Sequence, residues 1–246
     1  MNETINIMKA HRSIRNYTGE AVKEDHLRAI IESAIHAPTS INGQQWSIIV
    51  IEDQAKKDRI AELAGGQPWI SKCSVFMVFL MDYHKVAKKM EAQGIPFEHA
   101  TSIESVMVGA VDVGIAFSNA MTAAESLGYG IVPIGAIRRE PFEIIELLGL
   151  PKYVYPVLGM CIGVEAGDQG LKPRLPYDAT VSIDTYNTET DTLVADYDAL
   201  YKEYLAQRPD TTMAPAWTEF VGSVYNRIYF PKVKSSLEQQ GFTAEK

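Results

Sequence analysis

SIESVMVGAVDVGIAFSNAMTAAESL, residues 102–127, is the longest segment of helical periodicity in this chain. Its apolar residues recur three and four positions apart in two stripes, so most of the helix surface is apolar. Such a helix lies either at the centre of a core or at a subunit interface. Gly109 and Gly114 would let a second backbone approach it closely. Because the segment also contains Asp112 and Asn119, we do not expect it to span a membrane.

Apolar strands and amphipathic helices alternate around this helix. The sequence predicts strands at residues 46–51, 75–81, 129–137 and 155–164. It predicts further helices at residues 2–10, 24–37, 54–63, 83–93 and 141–148. Taken alone, this alternation of covered apolar strands with helices predicts a layered α/β domain.

The character of the chain changes after Pro176. Helical patterns rich in aromatic residues follow at residues 190–207, 214–230 and 232–240. These helices would bury little surface alone, so we expect them to wrap the main domain or a partner subunit. The predicted organisation is a core over residues 1–176 and a helical C-terminal extension over residues 177–246, both within one domain.

Composition limits the classes of function. The chain has 246 residues, 46% of them hydrophobic, and a net charge of -8, which argues against broad binding to nucleic acid or to an anionic membrane. Cys73 and Cys161 lie in apolar runs and are expected to be buried free thiols, and no spacing of ligand residues suggests a metal site. The first residues do not resemble a secretory signal, so we expect a cytoplasmic protein.

Two short basic segments stand out in this acidic chain. The segment His11-Arg12-Ser13-Ile14-Arg15 places two guanidiniums, an imidazole and a hydroxyl within five residues. Arginine forks match a phosphate bidentately, so this segment could hold a small phosphorylated ligand. The segment Lys172-Pro173-Arg174-Leu175-Pro176 has the same character and is stiffened by prolines. The alternatives are a basic helix end for the first segment and a solvated linker for the second.

Three uncharged segments could complete such a site. Thr39, Ser40 and Asn42 lie in a polar loop between a helix and a strand, and their donors and acceptors suit a neutral heterocycle with a ribityl or ribose chain. Gln67 follows two glycines and could meet a ring edge. At Pro133-Ile134-Gly135, the proline removes a ladder hydrogen bond and the glycine lets a ligand approach the backbone. An ordinary capped turn, a glycine turn and a strand edge are the alternative interpretations.

Several common catalytic motifs are missing from the sequence. No G-x-G-x-x-G follows a strand, and there is no P-loop and no G-x-S-x-G elbow. No pair of carboxylates stands out for acid and base work. Phosphate anchors and uncharged amides without a catalytic side chain suggest that a bound cofactor carries the reaction.

Together, these segments resemble the nitroreductase superfamily of FMN enzymes, and more narrowly the branch of the NADPH nitroreductases and flavin reductase P. The resemblance spans nearly the whole chain and depends on the order and spacing of several short motifs. These motifs are His11-Arg12-Ser13-Ile14-Arg15, Gly65-Gly66-Gln67, Ala124-Glu125-Ser126-Leu127-Gly128, Ile134-Gly135-Ala136-Ile137-Arg138 and Lys172-Pro173-Arg174-Leu175-Pro176.

The resemblance implies an α+β fold with a central β-sheet sandwiched by helices. It also implies an intertwined homodimer with FMN sites at the interface and a helical C-terminal extension. In this family pattern, the phosphate and ribityl chain of FMN would be held by His11, Arg12, Ser13, Arg15, Lys172 and Arg174. The flavin ring would be lined by Thr39, Ser40, Asn42, Gln67, Pro133, Ile134 and Gly135.

The activity implied by the resemblance is FMN-dependent NAD(P)H oxidoreduction. Hydride would pass from NADPH or NADH to the flavin and then, in a ping-pong cycle, to a nitroaromatic, a quinone or a free flavin. The flavin would carry the chemistry, so no catalytic side chain is predicted. Arg208 matches an arginine that contacts NADPH in the branch, but residues 210–215 are not basic, which leaves the choice of nucleotide open. Alternatives are a non-catalytic protein that binds flavin or another phosphorylated ligand, and a structural dimer with basic surface clusters.

Overall fold

The computed structural model describes residues 2–167, 170–208 and 212–245. These residues form two compact units. The first unit comprises residues up to 167 together with the chain from Lys232 onward, and the second runs from Gly170 to Pro231. The segment 170–176 therefore groups with the second unit, while the last helix of the chain groups with the first.

The first unit contains a four-stranded sheet and the helices that cover it. Its strands are β1 (Trp46–Ile51), β2 (Val75–Asp82), β3 (Gly130–Ile134) and β4 (Val154–Gly163). Its helices are α1 (Glu3–Lys9), α2 (Glu24–Ile35), α3 (Gln54–Leu63), α4 (Pro68–Lys72), α5 (His84–Ala92), α6 (Ile103–Ser126), α7 (Pro141–Leu148) and α11 (Val233–Gln239). The second unit contains α8 (Tyr177–Thr180), α9 (Asp191–Ala206) and α10 (Trp217–Tyr225).

The strand order is β1-β2-β4-β3, and every neighbouring pair is antiparallel. The α+β class implied by the family resemblance is therefore confirmed. The α/β class predicted from the alternation of strands and helices is wrong. A connection that contains a helix can join strands of either relative direction, so alternation alone does not fix the direction of the strands.

The sheet has a hydrophobic core on each face, because successive side chains of a strand point to opposite sides. Met77, Phe79 and Met81 of β2 join a cluster that also contains buried residues of α2 and α6. Phe76 and Val78 join a second cluster with buried residues of α3, α4 and α7. Each fully buried side chain of this size stabilises the fold by about 1.5–3 kcal/mol. The predicted sandwich is thus present in the first unit.

The predicted third strand, residues 129–137, is too long. The strand ends at Ile134, and Gly135–Arg138 forms a 3-10 turn. Pro133 cannot donate to the ladder, and a glycine weakens a strand, so the chain leaves the sheet here. Most of the other predicted elements agree with the structure to within one or two residues, and the fraying of helix ends explains differences of this size. The helix predicted at residues 214–230 is too long, because it spans only Trp217–Tyr225.

Helix α6 contributes one face to the core and exposes another. Val113, Ala116 and Ala120 are fully buried, whereas Met107 and Val111 are 58% and 59% exposed. By length and composition alone the helix could cross a membrane, and a third of its most apolar window is buried within the chain. The close approach predicted at Gly109 is made by the side chain of Met81, rather than by a second backbone.

The two cysteines are free and buried, as the sequence predicted. Cys161 lies in β4, opposite Phe76 of β2, and Cys73 lies at the end of α4.

Candidate cofactor site

The basic segment His11–Arg15 lies along the edge of β3. The Ile14 amide donates to the Ile131 carbonyl at 2.8 Å, and Ser13 forms a parallel bridge with Ile131. Gly130 allows this close approach, because a Cβ atom at that position would come within 2.7 Å of the Ile14 side chain. Ile14 is buried and anchors the segment, so the polar residues on either side of it are held in a defined place.

Two of the three basic side chains in this segment are paired with carboxylates. His11 Nδ1 lies 2.6 Å from Glu125 Oε1, in the last turn of α6. Arg12 Nη2 donates to Glu165 Oε2 at 3.1 Å, just beyond the end of β4. Both pairs are partly buried, so water screens them less than it screens exposed ion pairs. They fix the orientation of the imidazole and of one guanidinium.

Arg15 is exposed and has a different environment. Its guanidinium lies over the Trp69 ring, 5.4 Å from the centroid, and Nη1 donates to the Ser13 carbonyl at 3.4 Å. Within the part of the chain that the structure describes, Arg15 forms no ion pair with a carboxylate. Stacking on an aromatic ring preorganises the arginine fork without neutralising its charge. Arg15 is therefore available to an anion.

The loop that carries Gln67 adjoins the same region. Gln67 immediately precedes α4, which carries Trp69, and its Nε2 atom donates to the Ala64 carbonyl at 3.0 Å. Ile134 is buried in the same cluster that Trp69 packs against. The structure therefore brings the ends of β3 and of the Gln67 loop to the neighbourhood of His11–Arg15.

Two buried polar atoms in this region lack a partner among the described residues. They are Trp69 Nε1, a hydrogen-bond donor, and Glu165 Oε1, an acceptor. Unpaired buried polar groups are costly and rare in native structures. An indole donor beside a stacked arginine fits a ligand that offers an acceptor atom together with negative charge.

The polar loop that contains Thr39, Ser40 and Asn42 is strained and projects from the protein. Ile41, Asn42 and Gln44 have φ values of 49°, 56° and 48°, in the left-handed region that favours glycine. Ile41 is 96% exposed. Residues held in such conformations cluster at ligand clamps and active sites.

Asp112 of α6 holds this loop. Its carboxylate accepts the Ser40 amide at 3.2 Å and Gln45 Nε2 at 2.6 Å. Burial raises the pKa of Asp112 above its ordinary range, and the two hydrogen bonds act in the opposite direction. A cavity of about 660 Å³ lies beside the loop, with Ser40 and Gly43 in its wall.

The loop and the basic segment lie at different places along α6. Asp112 contacts the loop and Glu125 contacts His11, and these two helix positions are thirteen residues apart. A rise of about 1.5 Å per residue separates them by about 20 Å. A single chain therefore does not bring Thr39, Ser40 and Asn42 together with His11–Arg15.

The remaining predicted site residues lie in the second unit. Lys172 Nζ lies 5.3 Å from the centroid of Tyr201, and Arg174 Nη1 donates to the Lys172 carbonyl at 2.7 Å. Arg208 stacks on Tyr204 and donates to its hydroxyl at 2.6 Å. Of the non-basic segment 210–215, residues 210 and 211 lie outside the described residues.

Sequence reasoning assigned no role to four residues that shape these surfaces: Trp69, Asp112, Glu125 and Glu165. Two signals were present in the sequence. Asp112 is a charged residue within an apolar helix, and Glu125 lies in a short motif that resembles the family pattern.

An antiparallel sheet between two helical layers, with a basic segment along its edge strand, is the architecture of the nitroreductase family, and this chain belongs to it. The profile of that family matches residues 8–164. The profile of its C-terminal domain matches residues 172–245.

Particular relatives cover the whole chain or nearly all of it. The FMN reductase [NAD(P)H] of Bacillus subtilis is 45% identical over 249 residues and covers 100% of both chains. The oxygen-insensitive NADPH nitroreductase of Salmonella typhimurium is 35% identical, with 98% of this chain and 99% of the relative covered. Among solved structures, B. megaterium NfrA2 has a TM-score of 0.97 at 45% identity, with both chains fully covered. The NADPH:FMN oxidoreductase of Vibrio harveyi, solved with NAD+, has a TM-score of 0.91 at 30% identity, again with full coverage.

Proposed function

We propose that this chain is an FMN-dependent NAD(P)H oxidoreductase that reduces small-molecule acceptors such as nitroaromatics, quinones or free flavin. The observation that carries the proposal is the preorganised anion site of a nitroreductase-family chain. There, Arg15 is stacked on the Trp69 ring, and the buried Nε1 donor of Trp69 lacks a partner among the described residues. The names of the relatives, an FMN reductase [NAD(P)H] and an NADPH nitroreductase, support the cofactor and the reaction. Both NADPH and NADH remain candidate donors.

The residues along β3 and the Gln67 loop fit FMN. His11, Arg12, Ser13 and Arg15 bind the phosphate and ribityl chain, and Lys172 and Arg174 of the C-terminal region bind the same phosphate. Gln67 and the strand end Pro133-Ile134-Gly135 border the flavin ring, and Arg208 contacts the nicotinamide nucleotide. When bound, FMN supplies the two-electron chemistry that no side chain here supplies. The positive charge of this site also favours an anionic form of the bound ligand.

We propose that the enzyme works as a homodimer in which the loop with Thr39, Ser40 and Asn42 completes the flavin site of the partner. The separation of about 20 Å along α6 supports this, because one chain leaves the two halves of the site apart. The exposed apolar stripe of α6, which includes Met107 and Val111, supports it as well. Large exposed apolar surfaces mark interaction sites.

The dimer is tested by placing a charge in that stripe. We expect Val111→Glu to give a folded monomer in sedimentation velocity that no longer retains FMN, because a buried unpaired carboxylate is costly. Val111→Leu is the apolar control and should stay dimeric with FMN bound. A Val111→Glu protein that remains dimeric and flavin-loaded would exclude this face as the interface.

The reaction is tested by mixing the FMN-loaded protein anaerobically with NADPH or NADH in a stopped-flow spectrophotometer. We expect the oxidised flavin absorbance to bleach and then to return when a nitroaromatic, a quinone or free FMN is added. A protein that binds FMN but is bleached by neither nucleotide would instead be the non-catalytic flavin carrier. A protein that binds no FMN would contradict both functions.

We also propose a cytoplasmic location, since the buried free thiols Cys73 and Cys161 are typical of a reducing compartment. In the proposed organisation, residues 1–176 form the FMN-binding core and residues 177–246 form the C-terminal extension.

A further inference from the structure

We infer that Glu125 is a positioning residue for the cofactor anchor: it holds the His11 ring so that the second ring nitrogen donates a hydrogen bond to the ligand phosphate. The inference rests on the proposed function, because it takes the phosphate of FMN as the ligand of His11.

The contact is short and sheltered. His11 Nδ1 lies 2.6 Å from Glu125 Oε1, and the two side chains are 20% and 12% exposed. Arg12 and Glu165 line the same small cavity as Glu125, and Glu165 is already bonded to Arg12. Glu125 is thus the carboxylate that fixes the imidazole, and it does so from a rigid helix.

The position of Glu125 is unfavourable for its own helix. It lies in the last turn of α6, where the helix dipole presents its negative end and disfavours a carboxylate. Residues that destabilise their own helix are expected mainly at functional sites. Its bond to His11 supplies that role.

The donor and acceptor roles follow from the chemistry of the groups. A carboxylate only accepts hydrogen bonds, so the hydrogen of the short contact is on His11 Nδ1. An ionised phosphate oxygen also only accepts. A ring that bridges Glu125 and the phosphate therefore donates one hydrogen bond from each nitrogen, one to each of these acceptors.

This role predicts the opposite sign from simple electrostatics. Removing a negative charge near a phosphate would by itself tighten the binding of FMN. Removing the positioning contact weakens the binding of FMN, because the His11 ring loses its orientation toward the phosphate. Riboflavin lacks the phosphate, so its affinity should be insensitive to this contact.

The experiment measures dissociation constants of FMN and riboflavin for the flavin-stripped protein by fluorescence quenching. For Glu125→Gln we expect about tenfold weaker FMN binding, the size of one charge-assisted hydrogen bond, with riboflavin unchanged. Glu146→Gln makes the same chemical change at an exposed position of α7 and should alter neither constant. In a His11→Asn background, Glu125→Gln should no longer weaken FMN binding, because only the loss of the negative charge remains.

Three results would overturn the inference: tighter FMN binding, unchanged FMN binding, or an equal loss for both flavins, which would indicate a general change of the pocket. If Glu125→Gln does not fold, Glu125→Asp replaces it. The shorter side chain cannot reach His11 equally well and should lower the ratio of FMN to riboflavin affinity in the same direction, and an unchanged ratio would refute the inference. A wild-type protein that binds neither flavin would instead contradict the proposed function itself.

Discussion

Two carboxylates of α6 support two different kinds of surface. Glu125 is partly exposed and pairs with an ionisable ring on the basic segment. Asp112 is 3% exposed and accepts hydrogen bonds from a backbone amide and a neutral side-chain amide of the polar loop. The surface at the C-terminal turn of the helix, the charge end of the site, therefore presents charge, and the surface near the middle of the helix, the shape end of the site, presents a fixed backbone shape. FMN has a charged phosphate and a neutral ring, so its binding site requires both the charged surface and the shaped loop.

The two surfaces are also stabilised differently. The basic segment follows the edge of β3 through an isolated bridge and has no residue with positive φ, and its precision comes from ion pairs and from the stacking of Arg15 on Trp69. The polar loop contains left-handed residues such as Ile41 and Asn42, which cost about 1–3 kcal/mol each. Its shape persists because Asp112 holds it from the core side. Substitutions at the two ends should therefore fail in different ways.

The largest effect is expected at the shape end. Asp112→Ala removes the buried acceptor of the Ser40 amide and of the Gln45 side chain, which should lower the free energy of unfolding by about 3 kcal/mol. Urea unfolding of the flavin-free protein measures this. FMN and riboflavin affinities should fall by similar factors, because the loop meets the ring that both share. A change of less than about 1 kcal/mol would show that Asp112 does not hold the loop.

Asp112→Asn is the control for the charge of this residue. Since burial raises the pKa of Asp112 in the folded protein above its ordinary 3.8, the folded state holds the proton more tightly than the unfolded state. Ionisation of Asp112 therefore lowers the free energy of unfolding as the pH rises from its ordinary pKa toward its higher pKa in the folded protein. Urea unfolding at a series of pH values measures this. We expect the free energy of unfolding of the wild type, relative to that of Asp112→Asn, to decline as the pH rises through this range. A constant difference would contradict the raised pKa.

The second largest effect is expected at the charge end. Arg15→Ala removes an exposed cation that forms no ion pair within the described residues, so it should weaken FMN binding by about 1.5–3 kcal/mol, the range of a hydrogen bond to a charged group. Calorimetric titration of the flavin-free protein measures this, and riboflavin affinity should change little. Arg28→Ala removes another exposed arginine, which lies on α2 and pairs with Glu32, and serves as the control. Equal losses for both flavins would contradict the division into a charge end and a shape end.

Much of the fold followed from the sequence because its signals are local. The apolar runs of β1, β2 and β4 and the periodicity of α6 give those elements nearly correct bounds. The direction of the strands did not follow, since the same alternation of elements fits parallel and antiparallel neighbours. The end of β3 depends on the local chemistry of Pro133 and Gly135. These residues are typical of a strand end as well as of a ligand approach, but the apolar pattern extended the predicted strand to residue 137.

The candidate site was harder to predict, because its residues are distant in sequence. The residue types alone predicted two parts of the site, because the basic segment suggests phosphate binding and the polar loop suggests binding of a heterocycle. The sequence did not show that Glu125 and Asp112 support these surfaces from the C-terminal turn and the middle of one helix, because that depends on the packing of α6. Nor does the sequence indicate that the ring of Trp69 carries Arg15, because the two residues are distant along the chain.

The smallest effect is expected at Lys172, which is proposed to bind the phosphate of FMN. Lys172→Ala should weaken FMN binding by about 1 kcal/mol, less than Arg15→Ala, because a lysine is a flexible point charge without the arginine fork. Riboflavin affinity should stay unchanged. Lys202→Ala, on α9 of the same unit, removes a half-exposed lysine that lies 3.9 Å from Glu219 and is the matched control. The two variants carry the same loss of charge, so only the position of the lysine differs between them. If Lys172→Ala and Lys202→Ala give the same FMN affinity as the wild type, the contribution proposed for Lys172 is wrong.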